Sequence, residues 1–175
     1  MTAPDPRFPI GRLQLTGRLT PDQRRAAFAA MAALPNELAD AVRGLSETQL
    51  DTPYRPGGWS LRQVVHHLAD SHVHAYCRHK LTLSEDRPTI QAYDENAWSR
   101  FADAMAPIGG SLLLVQQIHA RLVECLRAAP EAAFARRCVH TTDGEKTLDD
   151  LVATYAWHGR HHVAHITTLR AAKGW

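Results

Sequence analysis

Apolar residues recur at helical spacing in four long stretches of the chain, and each stretch opens on a side chain suited to capping a helix. The first runs through Ala27, Phe28, Met31, Ala32, Leu34, Leu38, Ala41 and Val42 to a stop at Gly44. Thr20 is its N-cap, Pro21 takes the first helical position and Gln23 closes a capping box. Pro35 inside this stretch predicts a kink or a split, with no functional weight. The second stretch carries Leu61, Val64, Val65, Leu68, His72 and Tyr76. It is capped by Ser60 with Gln63 and runs to about Leu83, where Asp86-Arg87-Pro88 stops it. In the third, Gly109-Gly110 breaks the pattern and Ser111 caps a helix from Leu112 to about Ala128. The fourth starts at Thr147, has Asp149 and Asp150 in its first turn, and ends at Gly174.

The connectors are uneven. Pro4, Pro6 and Pro9 predict an irregular arm over residues 1–19, with Phe8, Ile10 and Leu13 as anchors. Leu45 to Gly58 is a connector whose end, Pro53-Tyr54-Arg55-Pro56-Gly57-Gly58, holds a fixed run of turns. Thr89 to Pro107 is an excursion with a short helix, Asp94 to Ala104, pinned by Tyr93, Trp98 and Phe101. Phe134 to Thr147 fits a small hairpin. Together these elements predict an all-α domain over residues 1–175: a four-helix bundle with a short excursion helix and a small hairpin before the last helix.

Composition narrows the function. With 45% hydrophobic and 22% charged residues the chain should fold as an ordinary globular protein. Twenty Lys and Arg against 18 acidic residues leave a formal charge of +2, too little for a surface that tracks phosphates, so nucleic acid is disfavoured as a partner. The start shows no apolar segment behind a basic flank, and no stretch approaches the roughly 18 apolar residues of a membrane span. The expectation is a cytoplasmic protein without a membrane partner. Cys77, Cys125 and Cys138 are odd in number, far apart and in no CxxC pair, which argues for small buried or half-buried side chains and against thiol catalysis. Eleven histidines against three cysteines make any metal site nitrogen-rich, the mark of a catalytic or binding site more than of a closed structural one.

The histidines cluster. In Trp157-His158-Gly159-Arg160-His161-His162-Val163-Ala164-His165, with His158 as zero, His162 falls at about +40°, His165 at about −20° and His161 at about −60° around a helix. Four imidazoles share one face, and a pair one turn apart can grip a single ion. A third ligand must come from elsewhere, and helix two offers His66, His67, His72, His74 and His79. His66 and His67 point about 100° apart, so one of them faces the interior, and periodicity does not choose between them.

The stretch from Tyr54 through Trp59, His66, His67 and Asp70 to His72 resembles the DinB-like superfamily, and most closely its YfiT subgroup of metal-dependent hydrolases, some of which are thiol S-transferases. Pro88-Thr89-Ile90 with Tyr93-Asp94-Glu95 and Trp98, the run Tyr155 to Ile166, Pro9-Ile10-Gly11 and Gly174-Trp175 extend the resemblance over nearly the whole chain. Ala92 departs from a frequent proline. Val163-Ala164-His165 stands where the wider superfamily often has Arg-Gly-Gln, which fits the subgroup. The resemblance implies that His67, His158 and His162 are the ligands of one divalent ion, zinc or nickel, in a four-helix bundle that forms a homodimer.

Around those ligands, His161 and His165 are candidates for proton shuttling or for hydrogen bonding to a ligand, or are hydrogen-bonded core histidines. Asp70 is a candidate to orient a ligand imidazole, or a partner of Arg62. Arg55, in the turn-rich loop, is a candidate anchor for an anionic substrate. An open position on such an ion serves either water, for hydrolysis, or a low-molecular-weight thiol, for transfer to an electrophile. The alternative to a metal-dependent hydrolase or thiol S-transferase is a module that binds a small ligand through the metal without turnover.

Overall fold

The computed structural model describes residues 5–15 and 17–175, so the part of the N-terminal arm at residues 1–4 and 16 lies outside the described residues. In chain order come α1 (Pro21–Val42), α2 (Glu47–Leu50), α3 (Leu61–Ser84), β1 (Thr89–Ile90), α4 (Glu95–Trp98), α5 (Gly109–Ala128), β2 (Arg137–His140), β3 (Gly144–Thr147) and α6 (Leu148–Lys173). The four long helices form a bundle in which α1 neighbours α6 and α5, and α3 neighbours α5 and α6.

Their starts are set locally. Thr20, Ser60 and Thr147 each accept from the backbone N–H three residues on, while Gln23, Gln63 and Asp150 reach back, giving three complete capping boxes. Ser46 and Gln49 form a fourth, on the short α2 that hydropathy alone did not show. Gly174 closes α6 in the left-handed conformation at φ 68°.

Other expectations are corrected. Pro35 neither splits nor stops α1, which is continuous from Pro21 to Val42. Gly109 and Gly110 begin α5 instead of preceding it, and Ser111 lies inside that helix with its hydroxyl 2.8 Å from His66 Nδ1. The excursion helix is only Glu95–Trp98, followed by a 3₁₀ turn at Ala102–Met105. The hairpin β2–β3 is present, and β1 pairs parallel to β2, with Thr89 opposite Val139, making a three-stranded sheet. Cys77 is exposed, while Cys138 is buried. No helix among the described residues is long and apolar enough to cross a membrane.

The apolar core comes in two parts. One gathers Phe28, Met31, Ala75, Leu122, Leu126, Val152 and Tyr155. The other gathers Leu34, Leu38, Leu61, Leu68, Val115 and Ile166. On each long helix a boundary falls between them, and His72, His119, His158 and His162 occupy that boundary on α3, α5 and α6. A tier of imidazoles thus crosses the bundle between two apolar layers, which hold the helices together on either side of it.

His79 lies deeper in the first layer. Its side chain is fully buried, Nδ1–H donates to Ala75 O at 2.7 Å, and Nε2 has no partner among the described residues. Burial pulls its pKa down to about 4. An unfolded histidine takes its proton near pH 6.5, so the unfolded state binds the proton first as pH falls. The stability His79 contributes is therefore present above pH 6.5 and lost as pH falls towards 4, by about 3 kcal/mol. In metal-free protein, His79→Leu should flatten the acid limb of a stability-against-pH curve by about that amount. Superimposable acid limbs would show that His79 is not held neutral.

Candidate metal centre

Two helices and one loop build the site. The capping box at Ser60 starts α3 so that His67 faces α6, while His66, its neighbour on the helix, turns towards α5 and holds Ser111 Oγ at 2.8 Å and Ala106 O at 3.0 Å. On α6, His158 and His162 lie one turn apart, on the side facing α3. One ring nitrogen from each of His67, His158 and His162 lies within 4.8 Å of the others. His67 Nε2 and His158 Nε2 are 3.3 Å apart. Two nitrogens held at about 2.0–2.1 Å by one tetrahedral ion are separated by about 3.4 Å, so the spacing fits a shared ion. An all-nitrogen set of three also fits a site that keeps a position open.

Electrostatics favour the same reading. Burial, followed by the nearby His161 and His165, lowers the pKa of His67 to about 4. Burial with the other histidines places His158 and His162 well below the ordinary value. All three rings are neutral at pH 7, the form that ligates a metal.

The triad opens on a cavity of about 560 Å³. The loop before α3 forms part of its wall: Tyr54 N–H bonds Trp59 O at 3.1 Å, Gly58 N–H bonds Arg55 O at 2.9 Å, and Gly57 turns the chain at φ 67°. This places the Trp59 ring 4.6 Å from that of His67 and the Tyr54 ring stacked 4.1 Å from that of His165. Arg62 anchors the loop from below. It is buried, donates to Asp51 Oδ1 at 2.6 Å and to Ala106 O at 3.2 Å, and is paired with Glu47.

The remaining candidates are dispersed. Arg55 lines the cavity, with its guanidinium on Tyr54 Oη at 3.2 Å and Pro56 O at 3.1 Å, and among the described residues it has no carboxylate partner. His165 lines the cavity wall with Nδ1 3.3 Å from His162 Nδ1 and Nε2 3.3 Å from Arg7 O. His161 stacks on Trp157 at 4.3 Å, with Phe8 6.0 Å away on the arm, and its Nδ1 is buried without a partner among the described residues. His161, His162 and His165 form a second group of close nitrogens, all on one helix and sharing His162 with the first. Asp70 does not line the cavity, and Arg62 is paired elsewhere; burial, followed by the nearby Asp103 carboxylate, raises the Asp70 pKa.

The sequence reading gave no site role to Arg78, Tyr93, His140 or Gly159. Arg78 donates to Tyr155 Oη at 2.7 Å and lines the cavity without a carboxylate partner among the described residues. Tyr93 reaches over from the excursion, its hydroxyl 3.5 Å from His67 Nδ1 and its ring stacked on His74 at 4.4 Å. His140, at the end of β2, also lines the cavity. Gly159 lies beside His158 where α6 meets α1: a Cβ there would come within 2.5 Å of Leu34 Cδ2 and 2.9 Å of Leu34 Cδ1. Glycine within a helix costs about 1 kcal/mol relative to alanine, and here it allows the close approach.

The chain is similar to known proteins along nearly its whole length. The chain matches the DinB superfamily over residues 14–166. A Bacillus mycoides (strain KBAB4) protein named "Putative metal-dependent hydrolase" is 43% identical over 171 residues, covering 98% of this chain and 99% of the relative. A Bacillus cereus (strain AH820) protein of the same name is 42% identical over the same shares. Among solved structures, YfiT from Bacillus subtilis, described as a probable metal-dependent hydrolase with an unusual four-helix bundle topology, superposes with a TM-score of 0.94 at 42% identity, over 97% of this chain and 98% of that one.

Proposed function

This chain belongs to the DinB superfamily, and on that premise we propose that it is a metal-dependent hydrolase of small molecules whose divalent ion, zinc or nickel, is held by His67, His158 and His162. The observation that carries the reading is the meeting of three neutral imidazole nitrogens, from two helices, at the wall of a cavity large enough for a small substrate. A dipositive ion held by three neutral ligands keeps its full charge and lowers the pKa of an oxygen or sulfur group at its open position.

The chain's own residues do the rest. Trp59 and Tyr54 cover two of the imidazoles with apolar ring faces and limit water there. Arg55 and Arg78 offer guanidinium groups to an anionic part of the substrate, since neither is neutralised by a carboxylate among the described residues. His140 and His161 line the cavity with lowered pKa values, so each is neutral at pH 7 and able to take a proton.

The same ligand set would accept a low-molecular-weight thiol, so the test separates the two reactions. Protein loaded with zinc or nickel, and chelator-stripped protein, are assayed on ester and amide panels and on a chlorinated nitroarene with several cellular thiols. Metal-dependent hydrolysis is the expected result, lost on stripping, with the far-UV helical signal unchanged because two apolar layers hold the bundle without the ion. Metal-dependent thiol consumption without hydrolysis would replace the hydrolase by a transferase. Stoichiometric metal with neither turnover would leave a binding module.

A further inference from the structure

Six of the chain's histidines form two chains of hydrogen-bonded or closely approaching rings, and three of the six are outside the proposed ligand set. His119 is 1% exposed, and its Nδ1 lies 2.6 Å from Met31 O. A backbone carbonyl only accepts, so Nδ1 carries the proton. A neutral imidazole has one N–H, which leaves His119 Nε2 as an acceptor. His72, fully buried, brings Nδ1 to that atom at 2.6 Å and must donate. His72 Nε2 is then an acceptor, and His158 Nδ1 lies 3.2 Å away and donates to it. His158 Nε2, the atom 3.3 Å from His67 Nε2, is left with a bare lone pair.

Pro35 explains the far end of this chain. In a regular helix the N–H of residue 35 would donate to the carbonyl of residue 31, and proline has no N–H. Met31 O is free for His119, which replaces the missing helical donor. The second chain is shorter. Arg7 O accepts from His165 Nε2–H at 3.3 Å, so His165 Nδ1 accepts from His162 Nδ1–H at 3.3 Å, and His162 Nε2 is bare.

We propose that His72, His119 and His165 are positioning residues: two imidazole chains, each ending on a main-chain carbonyl, fix His158 and His162 as Nδ1–H tautomers that turn their Nε2 lone pairs to one shared ion. This inference rests on the ligand assignment above, but its first test does not. Ring-nitrogen ¹⁵N spectroscopy of metal-free, otherwise unaltered protein distinguishes protonated from bare nitrogens. The expected pattern is Nδ1–H at His119, His72, His158 and His162, and Nε2–H at His165. An Nε2–H form at His158 or His162, or a mixture, overturns the proposal whether or not the protein binds metal.

The second test is zinc affinity by competition titration. His119→Leu removes the acceptor for His72 and should weaken zinc binding about 10–100-fold, the usual cost of losing an outer partner of a ligand. His119→Gln keeps an amide oxygen for His72 and an NH₂ for Met31 O and should restore most of the affinity. Equal affinity in all three proteins, or equal loss in both variants, overturns the positioning role. Should His119→Leu fail to fold, the ¹⁵N pattern and the glutamine variant still decide. Failure of the ligand assignment itself reads differently: His162→Ala would keep its zinc.

Discussion

His162→Ala should lose stoichiometric zinc or nickel while keeping the helical far-UV signal of the parent. His162 is the ring that both groups of close nitrogens share, and its loss leaves His67 and His158 as a two-nitrogen set. Losing a partner beyond the ligands typically costs about 10–100-fold in metal affinity, so losing a ligand should exceed about 100-fold. The fold should survive, because the tier of imidazoles lies between two apolar layers that pack without it. Metal content by mass spectrometry, a competition titration and circular dichroism make the measurement. His161→Ala is the control: its ring packs between Trp157 and the arm and should be dispensable for the ion. If the alanine at 161 releases the metal and the one at 162 does not, the ion belongs to the His161 and His165 pair.

Asp149→Ala should cost about 3–5 kcal/mol of stability, the usual penalty for stripping one partner from a buried ion pair. Asp149 is fully buried at the first turn of α6 and receives Arg24 Nε at 2.8 Å, Arg24 Nη2 at 3.1 Å and the Leu19 N–H at 3.1 Å. Arg24 is itself 3% exposed and lies over the Phe134 ring at 4.1 Å. Without the carboxylate its guanidinium keeps the mostly exposed Glu131 and one main-chain carbonyl, too little to offset its desolvation. For a chain of this length the melting temperature should fall by about 6–20 °C. Replacing both residues by leucine should recover much of the loss, since no charge is then left buried. A single variant within about 1 kcal/mol of the parent would show that water reaches Arg24.

Local chemistry made the helices legible. Thr20, Ser60 and Thr147 cap where the hydropathy pattern starts because each cap needs only residues three positions away. What the sequence alone left open depended on partners far along the chain. Pro35 reads as a helix breaker until His119, on another helix, is seen to take the carbonyl it frees. Ser111 reads as a cap, yet its hydroxyl is engaged by His66. β1 is two residues long and becomes a strand only by pairing with β2, some 50 residues later. At the site, the i and i+4 spacing brought out the pair on α6, while the choice between His66 and His67 came from family resemblance, because which ring approaches α6 and which approaches Ser111 depends on partners far along the chain. Tyr93 and Arg78 carried no local sign of a site role, because only the packing of the excursion and of α6 against α3 sets them on the cavity with His158 and His162.

Gly159 and Leu34 form a size-complementary pair across two helices, in which the absence of a side chain on one leaves room for the branched end of the other. Such pairs change together over evolutionary time. A larger residue at 159 would meet the Leu34 side chain, so either that side chain shifts, the residue at 34 becomes smaller, or α6 and the His158 it carries move away from α1. The spacing of the imidazoles is thus recorded partly in two apolar positions that offer no nitrogen, and coupled variation at 34 and 159 among descendants of one ancestor would be its trace.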